Sequence, residues 1–167
     1  MAVASGFAIR KALPAEFAAI ADLVVEAYRE VGETDAGYVP ELRDVAGRAA
    51  QVPVLVALEA LTDAVLGTVT YVPGPGPYHE GDFGDAASFR MLAVAPGARR
   101  RGIGQALVEA CIERARADGR TAIGIYTRPF MTDAHRMYER LGFSRAPELD
   151  IEFDPGDWLL AYRIELA

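Results

Sequence analysis

The 167-residue chain is poor in cysteine and lysine and has no long apolar run, and each scarcity excludes a class of protein. Cys111 is the single cysteine, so no internal disulfide can form and a disulfide framework is excluded. No apolar stretch approaches the roughly 20 residues of a membrane helix. The N-terminus lacks the basic and then apolar pattern of a secretory signal. These features predict a cytoplasmic protein with no membrane partner.

Charge excludes a second class, the general nucleic-acid binders. The formal net charge is −7, and the arginines concentrate between Arg99 and Arg145. An extended basic face is therefore lacking, so no nucleic-acid partner is expected. A length of 167 residues with 51% hydrophobic and 25% charged residues is typical of one globular domain. Since no repeat or low-complexity linker interrupts the chain, we predict a single domain over residues 1–167.

The segment most informative about function is the stretch at residues 89–107, FRMLAVAPGARRRGIGQAL. Its first six residues form an apolar run that predicts a buried strand, and Pro96-Gly97 breaks that run. A long amphipathic helix is predicted to open at Gly104. Backbone N–H groups at a helix start lack intrahelical partners and carry partial positive charge, so an anion binds well there. The alternative is a plain strand-to-helix turn.

Two common phosphate motifs are absent from this stretch. A G-x-G-x-x-G dinucleotide fingerprint needs a small residue where Leu107 stands. A Walker loop needs Gly-Lys-Ser/Thr, and Lys11 is the only lysine. A phosphate at this helix start would therefore belong to neither motif.

The remaining pattern predicts strands alternating with helices. Period-two alternation and apolar runs indicate strands at residues 6–12, 52–58, 65–72, 121–126, 143–153 and 158–166. Helical spacing of apolar residues indicates helices from Pro14 to Gly32, over residues 41–50, over residues 104–118 and over residues 132–141. Thr132 or Asp133 is expected to cap the last helix. Cys111 falls in the apolar stripe of the third helix, which predicts a core residue rather than a nucleophile.

Two predicted loops between these elements contain several polar residues. Glu33, Asp35 and Tyr38 lie in the first loop, at residues 33–40, as candidate acceptor contacts or as solvated side chains. The second loop, at residues 73–85, is rich in proline and glycine and cannot sustain a helix or a ladder. Its His79 and acidic residues match no standard ligand spacing, so no metal site is predicted. An acidic loop that attracts a cationic amine and plain solvation both remain open.

A second motif joins the first. Residues 134–143 read A-x-x-x-Y-E-x-x-G-F, and residues 99–104 read R-x-x-G-x-G. Both segments, in this order and separation, resemble the GNAT superfamily of acyl-CoA N-acyltransferases, and with the strand pattern the likeness covers essentially the whole chain. The resemblance implies an α/β (α+β) fold: a mixed, centrally splayed sheet of about seven strands, with about four helices on both faces.

The resemblance also implies where acetyl-CoA would bind. Its pyrophosphate would meet the backbone N–H groups of residues 101–104, and its pantetheine arm would pair with strand residues 92–94 like an added strand. A backbone N–H near Leu92 would stabilise the oxyanion of a tetrahedral intermediate. The implied coenzyme contacts are Leu92, Ala93, Val94, Arg99, Arg100, Arg101, Gly102, Ile103, Gly104 and Gln105.

Tyr138 stands at the position of the family's general acid, which would protonate the leaving thiolate. Spacing alone favours a core tyrosine, since Tyr138 lies on the apolar stripe of its helix, whereas the motif favours the acid. Two departures from the family occur. Met131 stands where an asparagine often contacts the cofactor, and no carboxylate accompanies Ser88 and Arg90 on the strand that often carries the general base. The base candidates left over are Glu80, Asp82, Asp85, Glu148 and Asp150.

The predicted function is transfer of an acetyl group from acetyl-CoA to a primary amine of a small molecule or a protein. A lysine side chain, a polyamine and a protein N-terminus all remain open as acceptors. The alternative, suggested by Met131 and by the missing strand carboxylate, is a non-catalytic acyl-CoA-binding or sensor module. The last strands around Trp158 would form either a homodimer edge or a buried hairpin.

Overall fold

The computed structural model describes residues 6–32 and 37–167. These residues form eight strands and five α-helices, with three short 3₁₀ turns. The α/β class predicted from sequence is confirmed, with one more strand and one more helix than expected. The strands are β1 (Phe7–Lys11), β2 (Val54–Glu59), β3 (Val65–Val72), β4 (Ser88–Val94), β5 (Ala122–Thr127), β6 (Ser144–Arg145), β7 (Ile151–Asp154) and β8 (Asp157–Glu165). The helices are α1 (Phe17–Glu30), α2 (Val39–Arg43), α3 (Val45–Ala49), α4 (Ile103–Ala117) and α5 (Thr132–Arg140).

The strands belong to two sheets. The first has the order β1-β2-β3-β4, and β2 runs antiparallel to both β1 and β3. The second has the order β5-β8-β6, and β7 also pairs with β8. Ala87, the residue before β4, forms an isolated parallel bridge with Ile123 of β5. It confirms the parallel direction predicted for these two strands, although they lie in separate sheets.

The chain forms two compact units. The first unit comprises the described part of Met1–Tyr71 with Met91–Cys111, and the second comprises Val72–Arg90 with Ile112–Ala167. In the first unit one apolar face of α1 packs on β2, α2 and α3, as the helical spacing predicts. Burial of this face removes most of its apolar surface from water, which stabilises the unit. The buried α1 residues are Ile20, Ala21, Val24 and Val25.

In the second unit the loop at residues 73–85 packs on β5 through an aromatic ring. Phe83 is 3% exposed, and its ring covers Gly124, where a Cβ would lie 2.2 Å from ring carbons. The Phe83 ring also lies 5.0 Å from that of Tyr126. The segment is irregular, as predicted, but Phe83 belongs to the core. Gly124 is required because any side chain would displace Phe83.

The extra helix and the extra strand have local causes. The predicted helix at residues 41–50 divides at Asp44, whose ψ of 62° is not helical and whose carboxylate caps α3 by accepting from the Gly47 N–H at 3.0 Å. The buried Arg48 then donates to the Glu41 and Leu42 carbonyls at the end of α2. The predicted strand at residues 143–153 divides into β6 and β7 because a 3₁₀ turn begins at Pro147.

The predicted buried position in α4 is confirmed, whereas the predicted cap of α5 is not. The apolar residues at helical spacing in α4 are all buried, namely Leu107, Val108, Cys111, Ile112 and Ala115, and Cys111 is 0% exposed, which confirms it as a core residue. Gly119, with φ of 74°, follows the end of α4. The capping prediction for α5 is wrong: Met131 is the N-cap, and no side chain caps the helix. Within the described residues, no helix is both long and apolar enough to cross a membrane.

Candidate active site

The arginines after β4 lie on a loop held by two ion pairs, and this arginine loop is defined here as residues 95–102. Arg99 contacts Glu30 of α1 at 2.5 Å. Arg101 forms a bidentate pair with Glu59 of β2 at 2.7 and 3.1 Å. Hydrogen bonds from these arginines lower the pKa of both glutamates. Arg100 makes no ion pair with any described residue, so of the three arginines it is the one whose charge is left for a ligand.

The arginine loop leads into α4 through two residues with positive φ. Arg100 and Gly102 have φ of 65° and 78°, and a Cβ at Gly102 would meet nothing within 4 Å. The N–H groups of Ile103, Gly104 and Gln105 find no backbone acceptor among the described residues, whereas Ala106 donates to Gly102 at 3.0 Å. Successive N–H groups at a helix start favour an anion. The predicted binding of a pyrophosphate by these N–H groups stays a prediction.

Gly67 of β3 packs against both the end of β4 and the start of α4. A Cβ at Gly67 would lie 2.9 Å from the Ile103 side chain and 3.1 Å from the Ala93 carbonyl oxygen. The Ala95 N–H donates to the Leu66 carbonyl at 2.8 Å, which fixes the exit of the strand. A glycine is therefore needed at position 67 for the strand, the loop and the helix to meet.

The strand segment predicted to hold the pantetheine arm begins at a break in β4. Met91 has φ of 57°, a left-handed conformation unusual for this residue type. The three residues that follow, Leu92, Ala93 and Val94, belong to the last strand of the first sheet, which pairs with β3 on one side. An outer strand of this kind can accept a further extended chain. The predicted pairing of this segment with a coenzyme stays a prediction.

Tyr138 lies in an aromatic cluster of the second unit. It is 6% exposed, and its ring centroid lies 5.9 Å from Phe89, 5.7 Å from Phe143 and 6.0 Å from Tyr162. Rings at these distances stabilise one another and fix the direction of the phenol. Tyr138 is thus a core side chain, as spacing alone predicted. Burial does not exclude the predicted role of general acid, because a rigid phenol can still donate its proton.

The five base candidates do not form one group. Glu80 is paired with Arg90 of β4 through an Nε–Oε1 distance of 3.5 Å, while Asp82, Asp85 and Glu148 are exposed. Burial raises the pKa of the Tyr126 hydroxyl, which donates to the Leu149 carbonyl at 2.8 Å, and the negative charges of Glu80, Asp150 and Asp82 raise that pKa further.

Asp150, the fifth candidate, holds a structural network instead. Its carboxylate accepts two hydrogen bonds from Arg145 at 2.8 and 2.7 Å and one from the Ala161 N–H at 2.7 Å. The Arg145 hydrogen bonds lower the pKa of Asp150, which makes it a poor proton acceptor. Asp150 therefore links the 3₁₀ turn before β7 to β8, and it is excluded from the candidates for the general base.

We expect Asp150→Ala to lower the free energy of unfolding by about 2–4 kcal/mol, because the Arg145 charge and the Ala161 N–H lose their acceptor. The loss is measured by urea unfolding at pH 7. As the control, Asp133→Ala removes the exposed Asp133–Arg136 pair and should cost at most about 0.5 kcal/mol.

The pH dependence of this difference follows from the lowered pKa. The contribution of Asp150 is fully present above its unfolded-state pKa of about 3.9 and is lost as pH falls through the lower folded-state value. We therefore expect the difference in free energy of unfolding between wild type and Asp150→Ala to stay constant from pH 7 to about 5 and to decrease below about pH 4. A difference in free energy of unfolding that is unchanged at pH 2 would contradict the role given to this carboxylate.

Sequence reasoning missed the partners of the arginines. The sequence shows Arg90 only as a departure on a strand that often carries a carboxylate, and no local pattern connects Glu59 or Glu30 with the arginine loop. Ion pairs between residues 42 or 69 positions apart leave no local signal. Gly124 inside a predicted strand was the one available sign of a close approach, since an interior glycine weakens a strand unless something packs on it.

Three further predictions concern Met131, a metal site and the candidate acceptor contacts. Met131 accepts a hydrogen bond from the Thr127 hydroxyl through its sulfur at 3.7 Å and offers no amide to a cofactor. In the described ranges, no three His, Cys, Asp or Glu side chains form a group that could hold a metal ion. Glu33 and Asp35, named as candidate acceptor contacts, lie outside the described residues, and Tyr38 precedes α2.

Solved structures with this fold are numerous. A GNAT-family acetyltransferase from Streptococcus agalactiae aligns with a TM-score of 0.78 at 20% identity, over 97% of this chain and 96% of its own. A GCN5-related N-acetyltransferase from Kribbella flavida aligns with a TM-score of 0.72 at 29% identity, over 98% and 99%. The yncA protein of Salmonella typhimurium, solved with its cofactor acetyl-CoA, aligns with a TM-score of 0.70 at 21% identity, over 97% and 95%.

The sequence itself was compared with protein families and with curated proteins. No curated protein matches it. Residues 17–143 match the Acetyltransferase (GNAT) family, a span that contains α1, the arginine loop, α4 and the Tyr138 motif. This match covers most of the chain and includes both motifs from which the resemblance was predicted. The chain therefore belongs to the GNAT acetyltransferase family.

Proposed function

We propose that the protein is an acetyl-CoA-dependent N-acetyltransferase that acts on a primary amine of a small molecule or a protein. The observation that carries the proposal is the arginine loop, where left-handed Arg100 and Gly102 precede three N–H groups that have no backbone acceptor within residues 6–32 and 37–167. The Salmonella typhimurium relative with bound acetyl-CoA and the Kribbella flavida N-acetyltransferase support the choice of donor and reaction. The family membership supports an acyltransferase in general.

Acetyl-CoA supplies a thioester carbon for attack and a thiolate as leaving group. In the proposed site the N–H groups at the start of α4 and the Arg100 side chain bind the pyrophosphate, and residues 92–94 bind the pantetheine arm. The amine forms a bond to the carbonyl carbon through a tetrahedral intermediate, and the carbon–sulfur bond then breaks. Tyr138 donates its phenolic proton to the thiolate, and the proton that the amine loses returns to Tyr138 through solvent.

The test is release of free thiol from acetyl-CoA across a panel of amines and peptides, read with a thiol-specific dye. We expect turnover with at least one primary amine and none with a matched tertiary amine. Tight binding of acetyl-CoA without turnover on any amine would favour the acyl-CoA-binding or sensor module. Absence of any thermal shift with acetyl-CoA would overturn both. The single domain, the cytoplasmic location and the homodimer stay predictions.

A further inference from the structure

The imidazole of His135 on α5 is held in one tautomer. Its Nε2 lies 3.0 Å from the carbonyl oxygen of Arg128, the residue that follows β5. A carbonyl oxygen only accepts hydrogen bonds, so Nε2 carries the hydrogen and Nδ1 keeps its lone pair. The same hydrogen bond fixes the direction of the ring. A neutral imidazole held in this way can take up a proton at Nδ1.

The two histidines of the chain differ in what their ring nitrogens can reach. The Nε2 of His79 is a buried atom without a hydrogen-bond partner among the described residues, so the protein encloses it. The Nδ1 of His135 also has no hydrogen-bond partner within residues 6–32 and 37–167. It is not one of the buried atoms, and His135 is partly exposed. A water or a ligand can therefore reach the lone pair of His135.

His135 and Tyr138 are neighbours on α5. They stand three residues apart, a spacing that places two side chains on the same face of a helix. The ring centroid of His135 lies 5.5 Å from that of Tyr162, and the ring of Tyr138 lies 6.0 Å from the same Tyr162 ring. Both side chains therefore pack on one residue of β8. Groups arranged in this way can exchange a proton through one bridging water.

Tyr162 lies between these two side chains but is poorly suited to carry the proton. Burial raises the pKa of Tyr162, and Glu139 raises it further by its charge and by accepting a hydrogen bond from the phenol. A phenol whose neutral form is favoured in this way does not release its proton readily. His135 is therefore the neighbour of Tyr138 that is equipped to accept a proton and to give it back.

We propose that His135 carries to Tyr138 the proton that the attacking amine loses. This inference rests on the proposed function and deepens it, because it gives that proton a route through a named side chain instead of bulk solvent. The nitrogen–carbon bond forms, and the nitrogen gives a proton to His135 Nδ1. The carbon–sulfur bond breaks with its electron pair on sulfur, which takes the Tyr138 proton. The imidazolium then protonates the Tyr138 phenolate, so both side chains end as they began. An acceptor that arrives as an ammonium gives one further proton to solvent.

The test uses two substitutions of His135 in the thiol-release assay, with the full chain at saturating acetyl-CoA. The amide of His135→Gln can still donate to the Arg128 carbonyl but cannot carry a proton. We expect its kcat to fall about ten- to a hundredfold, with the KM for acetyl-CoA within about twofold and the unfolding temperature lowered by only a few degrees. His135→Ala should lose at least as much activity, and added imidazole should raise its kcat severalfold but leave that of Tyr138→Phe unchanged.

Arg136→Gln is the matched control, since Arg136 is exposed on the same helix and pairs with Asp133. Its kcat should stay within about twofold of wild type. Full turnover by His135→Gln would reduce His135 to a structural link between α5 and the residue after β5, and it would overturn the inference. Failure of imidazole to raise the kcat of His135→Ala would also overturn it.

A spectroscopic measurement separates this inference from the proposed function. Two-bond ¹H–¹⁵N NMR spectra identify the tautomer of each imidazole, and His79→Gln assigns the two histidines. If no amine is acetylated, the proposed function fails, and the spectra decide the inference alone. An Nε2–H tautomer whose Nδ1 resonance moves when coenzyme A binds would support it. An Nδ1–H tautomer, or an Nδ1 resonance that coenzyme A leaves unchanged, would overturn it.

Discussion

Replacing Tyr138 by phenylalanine is expected to lower kcat about 10²- to 10³-fold while the KM for acetyl-CoA stays within about twofold. The phenol acts only when the thiolate leaves, whereas the ring alone makes the contacts with Phe89, Phe143 and Tyr162. The variant should therefore fold, with an unfolding temperature only a few degrees lower. Steady-state kinetics at saturating amine and circular dichroism measure the two effects separately.

Tyr162→Phe is the matched control for this experiment. Tyr162 belongs to the same cluster, with its ring 6.0 Å from that of Tyr138, and burial raises its pKa. The control should keep kcat within about threefold of wild type. A second readout separates acid catalysis from packing: the alkaline decline of kcat in wild type, caused by loss of the phenolic proton, should vanish in Tyr138→Phe. Unchanged turnover in Tyr138→Phe would remove this residue from catalysis, and loss of turnover in Tyr162→Phe alone would move the role there.

Replacing Gly102 by valine is expected to raise the Kd for acetyl-CoA about 100-fold. Gly102 has φ of 78°, where a β-branched residue is strained by about 1–3 kcal/mol, so valine is expected to shift the backbone that leads into the α4 N–H groups. Loss of two or three hydrogen bonds to a charged pyrophosphate is of the size that this change in Kd needs. Calorimetric titration with acetyl-CoA measures the change.

The chain contains a close control for backbone strain. Gly119 follows the other end of α4, has φ of 74° and likewise has no atom within 4 Å of a Cβ position. Gly119→Val should therefore lower stability about as much as Gly102→Val, yet bind acetyl-CoA with unchanged Kd. If both variants lost affinity equally, general destabilisation would explain the effect and the arginine loop would not be the coenzyme site.

Local patterns predicted the elements of this protein well. The alternation around Phe7, the helical spacing in α1 and α4, and the glycine after α4 all lie in windows of a few residues, where backbone sterics and periodic burial decide the outcome. The buried position of Cys111 followed from the same spacing. The errors were also local: an aspartate cap at Asp44 and the turn at Pro147 each divided an element that composition alone made continuous.

The family was equally readable from the sequence, because the R-x-x-G-x-G and A-x-x-x-Y-E-x-x-G-F segments carry their geometry in short spacings. What the motif could not show is how the charges of Arg99 and Arg101 are used. Both pair with carboxylates on α1 and β2, far away in sequence, so Arg100 and the backbone N–H groups are the proposed contacts of the pyrophosphate.

The sequence by itself determined the fold class, the family and the stretch at residues 89–107 that would hold the donor. Tertiary structure alone decided which charges neutralise one another, because ion pairs form between side chains that only the fold brings within 4 Å. It removed Asp150 from the candidate bases by giving it Arg145, and it placed Glu80 on Arg90. A charge pattern in space of this kind has no counterpart in residue spacing, because it depends on which distant segments the fold brings together.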